Sequence, residues 1–278
     1  MKKAVKQVFQ NKTRLIGLVL ALFFLALFAA PLFVPFDPLR TDMANRLQPI
    51  SPDHLLGTDH LGRDIFSRMM AGAKATVGTA LAAIAISLCI GVPIGLISGF
   101  FGGRLDRIMM RVVDAVMAFP DYIVAIVLSG LLGPGLMNLI LAVVAVKWVG
   151  YARLVRSTVF SEKQKDYIAL AELTGLHPAA ILKKHLLPHV LGNVSVLATL
   201  DIGKTVLMIA ALSYIGLGAQ PPHPEWGAML NDGKNYFLHA PWLMVIPGLA
   251  IMFVVLLSNL YGDSLRDRFD VKNKKGVS

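Results

Sequence analysis

The sequence predicts an all-α polytopic membrane protein with six transmembrane helices. The first observation is composition, because 55% of the 278 residues are hydrophobic and only 16% are charged, whereas soluble domains carry about a quarter charged residues. The second is continuous apolar length. Three uncharged runs, 15–36, 75–103 and 240–262, each exceed the ~20 residues that cross a bilayer as a helix. The third is that Lys and Arg are concentrated between the apolar runs.

The placement of the basic residues predicts the orientation of the chain. The segments between spans must alternate across the bilayer, and Lys and Arg number 19 in one set of segments and 6 in the other. The richer set includes both ends of the chain. Because basic segments stay in the cytoplasm, both termini are expected there. The net charge of +10 therefore reflects topology, and no nucleic-acid partner is expected.

Six helical spans are expected, at 14–36, 76–101, 108–132, 136–153, 191–217 and 240–262. The first follows a basic start, as in a signal peptide, but its apolar run is too long for the core of one, so a retained span is favoured. The polar segment Asp37–Lys74 is expected to form a small structured cap on the outer surface. Three parts follow: an N-terminal segment 1–75, a transmembrane domain 76–262 with a cytoplasmic loop at 153–190, and a cytoplasmic tail 263–278.

The second span carries a stripe of glycines. Gly91, Gly95 and Gly99 recur every fourth residue, so they share one helix face. Small residues on one face let two membrane helices approach closely. The alternative is a flexible helix weakened by these glycines and by Pro93, but the regular spacing favours close packing.

The stretch KQKDYIALAELTGLHPAAILKKHLLPH, 163–189, interrupts the apolar pattern with a charged pair of short helices. Ser161 and Gln164 fit a capping box, which starts a helix at about Glu162. Gly175 suits the turn at the end of that helix, and Pro178 suits the first turn of a second one. A helix–turn–helix between two spans is therefore expected.

Pro188 is expected to end or kink the second short helix before the fifth span. One face of the first short helix combines small residues with a few apolar ones: Tyr167, Leu170, Ala171 and Thr174. Such a face suits a helix that inserts into a groove on another protein. A merely solvated loop would need neither the caps nor the turn.

The fifth span contains two charged residues, Asp201 and Lys204. At spacing i, i+3 they lie on one helix face and can pair. Charged residues within spans usually face a bundle interior or a pathway, because exposure to lipid is costly. They are therefore interpreted either as part of a substrate path or subunit contact, or as a structural salt bridge.

Nucleotide and metal patterns are weak in this chain. The octapeptide ATLDIGKT, 198–205, ends like a phosphate-binding loop, but Ala198 stands where that motif needs a glycine, and the segment lies in a predicted span. His185 and His189 have a zinc-like spacing without a third ligand nearby. No cofactor or metal site is expected, and with Cys89 as the only cysteine no disulfide forms within the chain.

The stretch 163–189 resembles the cytoplasmic coupling loop of ABC-importer permease subunits. Gly175 fits the glycine of that loop's E-A-A signature, whose first three positions are occupied here by Ala169, Leu170 and Ala171. Further blocks resemble the dipeptide/oligopeptide/nickel permeases: Leu55–Lys74, Arg111–Pro120, Leu212–Leu230 and Asn259–Asp270. The sequence is therefore identified as a member of that family, and it resembles the second, C-type permease subunit.

The resemblance implies a type I ABC-importer permease fold and half of a translocation pathway in a bacterial plasma membrane. The implied partners are a second homologous permease subunit in a heterodimer, two ATP-binding subunits that use ATP, and an extracytoplasmic solute-binding protein. The chain itself is then not an enzyme. Four residues are expected to contact the ATPase: Tyr167, Ala171, Glu172 and Gly175. Asp201 and Lys204 are expected on the path or at the subunit contact.

Nickel or a metal-chelate complex is the favoured cargo. The segments 147–157 and 196–204 look more like nickel permeases than peptide permeases, and many peptide permeases carry an acidic residue where this chain has Ile209. Dipeptide or oligopeptide import by the same mechanism is the alternative. An ion-coupled secondary transporter is a distant one, because it would need internal repeats and coupling acids near the midplane. A membrane enzyme would need converging catalytic groups, and none are evident.

Overall fold

The computed structural model describes residues 17–19, 22–23, 25–26, 29 and 34–273, with 270–273 as backbone only. Most of the expected first span, 14–36, therefore lies outside the described residues. The described part of the chain is helical and contains no strand, only one isolated bridge between Thr58 and Asp64. Its helices are α1 (Ile65–Phe101), α2 (Gly103–Met117), α3 (Asp121–Leu132), α4 (Leu136–Lys163), α5 (Asp166–Leu173), α6 (Pro178–Ile181), α7 (Leu187–Tyr214), α8 (Trp226–Gly233) and α9 (Trp242–Asn273).

Four of the described helical segments are long and apolar enough to cross a membrane: Ile65–Phe101, Leu136–Lys163, Pro178–Tyr214 and Trp242–Phe269. Helices α2 and α3 are apolar enough only when taken together, and they are bent by 85° relative to each other. They add a fifth crossing if they count as one broken span. The predicted continuous span at 108–132 is therefore wrong. Pro120 is the physical reason, because it precedes α3, lacks an N–H donor and disfavours helical geometry at the residue before it.

Helix α1 begins at Ile65, well before the start near residue 76 expected from hydropathy. Asp64 caps it by accepting a hydrogen bond from the Ser67 amide at 2.8 Å. The early turns carry Arg68, which is buried by charged partners that lie elsewhere in the chain. Its partners, Asp59 and Asp232, lie outside the helix. Without them the charge of Arg68 lowers the local hydropathy, and the sequence therefore predicts a loop at this part of the helix.

The cap next to α1 is built on buried ion pairs. The Arg63 Nε atom lies 2.6 Å from Asp59 and the Arg68 Nε atom 3.4 Å from the same carboxylate. Both guanidinium groups also approach Asp232, just inside the end of α8, at 3.5 and 3.7 Å. These contacts fix the loop before α1 to α8. The segment 37–64 is therefore structured, as expected for the cap, whereas residues 65–74 of the predicted cap belong to α1; the position of the cap on the outer surface stays a prediction.

Helix α8 is attached to α1 through a fully buried carboxylate. The Glu225 side chain caps α8 by accepting from the amides of Gly227 and Ala228, at 3.1 and 2.9 Å. It also accepts from the Thr76 hydroxyl at 2.7 Å, while the Trp226 indole donates to the Met69 carbonyl at 3.0 Å. Three of these hydrogen bonds satisfy the buried carboxylate and the fourth joins Trp226 to α1, so α8 is held to α1 at two points.

The glycine stripe of α1 packs directly against α4, as predicted. A Cβ atom added at Gly91 would lie 2.8 Å from the Cβ of Tyr151, and one at Gly95 would lie 2.5 Å from the Ala152 carbonyl oxygen. One at Gly99 would lie 2.8 Å from the Val159 Cβ. Contacts this close leave no room for a side chain, so α1 and α4 interlock over about two helical turns.

Candidate functional site

The charged stretch between α4 and α7 begins differently from the prediction. Helix α4 continues through Ser161 and Glu162 to Lys163, and α5 begins only at Asp166. The N-cap of α5 is Lys165, whose side chain makes no capping bond. The predicted capping box at Ser161 and Gln164 is therefore wrong. Both residues lie in or next to the last turn of α4, where packing of the helix on α1 outweighs the local capping signal.

The end of α5 is as predicted. Gly175 adopts a left-handed φ of 75° and donates to the Glu172 carbonyl at 3.0 Å, while Leu176 donates to the Ala171 carbonyl at 3.1 Å. These two bonds form a Schellman motif, which satisfies the last carbonyls of the helix. Pro178 then starts α6. Helix α5 is therefore a short element with a defined end.

The segment after α6 does not end at Pro188. A π-helical turn, Leu182–Leu186, joins α6 to α7, and the backbone passes through Pro188 as one helical segment, Pro178–Tyr214. The Leu187 amide donates to the Leu182 carbonyl across this wider turn. Proline lacks an N–H donor, and π-turns insert where the regular hydrogen-bond ladder is broken. The expected break is thus replaced by a π-turn.

One face of α5 packs onto the bundle. Ile168 and Ala171 are buried in an apolar cluster with residues of α1, α4, α6 and α7. Ala171 is only 8% exposed, so its side chain, one of the four expected ATPase contacts, is covered by the chain's own helices. This cluster packs the inner face of α5 against the end of α4 and against α6, so α5 is part of the helical bundle and not a free loop.

The opposite face of α5 is exposed and strongly apolar. Leu173 is 85% exposed, Leu170 62% and Tyr167 38%. Glu172 and Gly175, two more of the expected contacts, are also exposed. Leu173 is absent from the predicted set, although its position three residues after Leu170 places it on the same helix face. Three large apolar groups on so short a helix form a surface suited to a protein groove.

Tyr167 is held in place by the last turn of α4. Its hydroxyl donates to Glu162 at 2.7 Å, and the Lys165 ammonium lies 2.6 Å from the other oxygen of that carboxylate. Partial burial, together with the hydrogen bond to Glu162 and its charge, raises the pKa of Tyr167 to about 12. The ring is therefore neutral and fixed. It lies 6.2 and 6.4 Å from the rings of His185 and His189.

Two kinds of site raised by the sequence, a metal site and a phosphate-binding loop, can be compared with the described part of the chain. Within the described ranges, no group of three or more His, Cys, Asp and Glu side chains is arranged to hold a metal ion. The phosphate-loop look-alike at 198–205 lies inside α7. A phosphate-binding loop needs a strand followed by a turn, so this segment has the wrong backbone for one.

The intramembrane charges pair differently from the expectation. Asp201 of α7 lies 3.8 Å from Lys147 of α4, and their side chains are 11% and 10% exposed. Lys204 is exposed and forms no ion pair within the described part of the chain. A salt bridge between Asp201 and Lys204, one of the two interpretations of these charges, is therefore not observed. The other interpretation, a place on the substrate path or at a subunit contact, stays a prediction. The facing helix supplies the cation because Asp201 is turned toward α4 and Lys204 away from it.

Removal of Lys147 should destabilise the protein strongly. Lys147→Met leaves Asp201 as an uncompensated buried charge, and such losses cost about 3–5 kcal/mol. The apparent Tm of the detergent-solubilised chain should fall clearly, and a second substitution, Asp201→Asn, should restore part of the loss. Lys204→Met is the matched control and should change the Tm little. Equal Tm values for Lys147→Met and Lys204→Met would contradict the paired assignment.

Two family models match the chain. Residues 91–275 match the family described as "Binding-protein-dependent transport system inner membrane component". Residues 1–49 match the "N-terminal TM domain of oligopeptide transport permease C". The first match spans more than half of the chain and includes the whole α4–α7 connection.

Similar curated proteins cover nearly the whole chain. The nickel transport system permease protein NikC of Escherichia coli (strain K12) is 42% identical over 259 residues, which are 92% of this chain and 93% of NikC. The dipeptide transport system permease protein DppC of Alkalihalophilus pseudofirmus is 40% identical over 274 residues, 98% of this chain and 90% of that protein. The names of these two relatives give different cargoes, nickel and dipeptide, at almost equal identity.

A solved structure supports the fold. A chain of the MetNI methionine ABC transporter in an inward-facing conformation aligns with a TM-score of 0.61 at 19% identity, covering 73% of this chain and 97% of that chain. The likeness confirms the type I ABC-importer permease fold. The chain belongs to the binding-protein-dependent transport system inner membrane component family and is a membrane permease of an ABC importer, whose ATPase is a separate subunit.

Proposed function

We propose that this chain forms half of a translocation pathway and takes its driving force through α5. The other half comes from a second, homologous permease subunit, and two ATP-binding subunits lie beneath the pair. An extracytoplasmic solute-binding protein delivers the cargo. The observation that carries the proposal is the exposed apolar face of α5, with Leu170 and Leu173, on a helix packed against two membrane spans.

Helix α5 has the mechanical properties that such a contact needs. Its inner face is buried with Ile168, its C-terminal end is closed by the Schellman motif at Gly175, and Tyr167 ties it to Glu162. A force on the outer face would therefore move α4 and α7 together instead of bending a loop. Tyr167, Glu172 and Gly175, joined by Leu170 and Leu173, form the proposed contact surface for the ATPase.

The proposal places α5 and both termini in the cytoplasm. The basic segments support this orientation, because 19 of the Lys and Arg residues fall in the set that includes α5 and both termini. The cap before α1 and helix α8 then face outward, where the solute-binding protein docks.

The two charges of α7 receive separate roles in this proposal. Asp201 ties α7 to α4 through Lys147. Lys204 is exposed within an apolar span, and an exposed ammonium facing lipid alone would be costly. Lys204 is therefore the residue that faces the pathway or the second permease subunit.

The proposed cargo is nickel or a metal-chelate complex, with dipeptide as the second candidate. NikC and DppC, at 42% and 40% identity, support one candidate each. The nickel-like segments 147–157 and 196–204 favour the first.

Uptake by the reconstituted complex tests both parts of the proposal. Proteoliposomes holding this chain with its partner subunits are supplied with labelled Ni²⁺, a labelled nickel chelate or a labelled dipeptide, each with and without ATP. We expect ATP-dependent uptake of the nickel species above that of the dipeptide. Preferential dipeptide uptake would reassign the cargo and leave the mechanism intact. Uptake that is unchanged without ATP would overturn the mechanism itself.

A further inference from the structure

Helices α1 and α4 move as one body. The glycine stripe of α1 lies directly against the backbone of α4. Sliding would produce steric clashes, and separation would lose the packing contacts of both helices. Helix α4 leads straight into α5. Any displacement of α5 therefore reaches the α1–α4 pair.

The bent α2–α3 unit, Gly103–Leu132, is attached more loosely. Val113 is the one buried residue of α2, and Ala125 and Ser129 are the buried residues of α3. Val113 packs against Val149 and Ala152 of α4. Ala125 of α3 lies in the main apolar cluster with Leu139 and Val143 of α4. The apolar attachment of α3 is therefore larger than that of α2, whose single buried side chain would not by itself force α2 to follow α4.

Ion pairs add a stronger attachment between α2 and α4. The Arg156 guanidinium of α4 donates to both oxygens of Asp106 on α2, at 2.6 Å each. The Ser98 hydroxyl of α1 donates to the same carboxylate. Farther along α2, Arg153 of α4 donates to Asp114. The Arg156–Asp106 pair is bidentate, and Ser98 brings a third helix to it. A bidentate pair fixes both the distance between α2 and α4 and their relative orientation at this point.

The other arginines of α2 show that these contacts are selective. Arg104, Arg107 and Arg111 form no ion pair within the described ranges, which suits residues that only set topology. The ties instead join α2 to the part of α4 that leads into α5. An ion pair that only stabilised the fold could lie anywhere along α4. This pair lies on the part of α4 next to α5, which a displacement of α5 would move first.

We propose that Asp106 and Arg156, assisted by Ser98 and by the Arg153–Asp114 pair, are positioning residues that make the α2–α3 unit follow α4 when α5 is displaced. This inference rests on the proposed function of α5. Without these ion pairs, ATP hydrolysis and movement of α5 would continue, but the α2–α3 unit would lag and less cargo would pass for each ATP consumed.

A charge-swap experiment tests the proposal in the complete reconstituted complex. Asp106→Arg and Arg156→Asp each break the pair, and the double variant restores it with reversed charges. We expect each single variant to raise the ATP consumed per transported cargo about fivefold or more, with normal membrane levels and ATPase activity, and the swap to recover most of the loss. Arg156→Lys, which keeps the charge but loses the planar fork, should be intermediate. Arg107→Glu is the matched control on α2.

The outcomes separate this inference from the proposed function. An unchanged ratio of ATP to cargo in both single variants would overturn the inference, as would a parallel loss of ATPase activity and uptake. Failure of the wild-type complex to use ATP at all would instead overturn the proposed function.

A distance measurement covers the case in which a single variant is poorly inserted. Spin labels at Leu131 on α3 and Phe160 on α4, in a Cys89→Ser background, should keep one separation with and without ATP in the wild type. In Arg156→Lys that separation should broaden or shift on ATP binding. The same behaviour in both proteins would overturn the inference.

Discussion

Gly95→Leu is expected to prevent stable folding of the membrane domain. A Cβ atom at this position would lie 2.5 Å from the Ala152 carbonyl oxygen and 2.6 Å from the Val155 Cβ, and the rest of a leucine needs more space still. Overpacking a tight core costs about 1–3 kcal/mol and at times more. The cost should lie at the upper end here, because the nearest obstructing atom, the Ala152 carbonyl oxygen, belongs to the α4 backbone and the next belongs to the stiff, branched side chain of Val155. Membrane accumulation and the apparent Tm in detergent measure the effect.

Gly150→Leu is the matched control for this variant. Gly150 lies within α4, and a Cβ added there meets no atom within 4 Å. The control should accumulate like the wild type. A Gly95→Leu protein with wild-type Tm and abundance would show that α1 and α4 do not interlock as described.

Gly175→Pro is expected to uncouple ATP hydrolysis from uptake while the subunit remains inserted. Proline fixes φ near −65°, whereas Gly175 has a φ of 75°. Proline also removes the amide that donates to the Glu172 carbonyl. The Schellman end of α5 should therefore open and the Leu170–Leu173 surface lose its fixed orientation. Uptake should fall at least about tenfold, with ATPase activity retained, corresponding to ~1.4 kcal/mol or more of lost coupling.

Gly175→Asn serves as the control, because asparagine tolerates the left-handed conformation better than other residues. It should keep most of the uptake. Uptake by Gly175→Pro that equals the wild type would mean that the geometry of the turn does not matter for coupling.

The parts of the fold that could be predicted from sequence are those governed by local backbone chemistry. The glycine stripe is readable because a repeat of four residues fixes one helix face, and Gly175 is readable because few other residues accept a left-handed turn. The long apolar runs identified most of the described membrane helices for the same reason. Each of these signals is complete within one segment.

The sequence-based predictions failed where the local structure depends on contacts with another segment of the chain. Arg68 made the start of α1 look polar, because its carboxylate partners at Asp59 and Asp232 could not be read from the local pattern. Asp201 could be paired from the sequence only with Lys204 on its own helix, as one of two interpretations, whereas its ion-pair partner in the structure is Lys147 of α4. The capping signal at Ser161 was overridden when packing on α1 extended α4.

The sequence predicted where the candidate site lies, but only some of the residues on its exposed surface. The position of α5 and its end at Gly175 were predicted, yet its inward and outward faces depend on how α6 and α7 return against α4. That packing buries Ala171 and leaves Leu173 outside. A helical projection with Leu170 at its centre would have included Leu173, because the two share one face.

The central claim is that α5 lies in the cytoplasm and binds a separate ATPase subunit. Its most direct test is thiol labelling and crosslinking of the variant Leu173→Cys in a Cys89→Ser background. The variant is assembled with its partner subunits in sealed, right-side-out vesicles. The account predicts protection from an impermeant thiol reagent outside and a crosslink to the ATPase subunit that changes with ATP. Labelling from the outside, or no crosslink under any nucleotide condition, would contradict it.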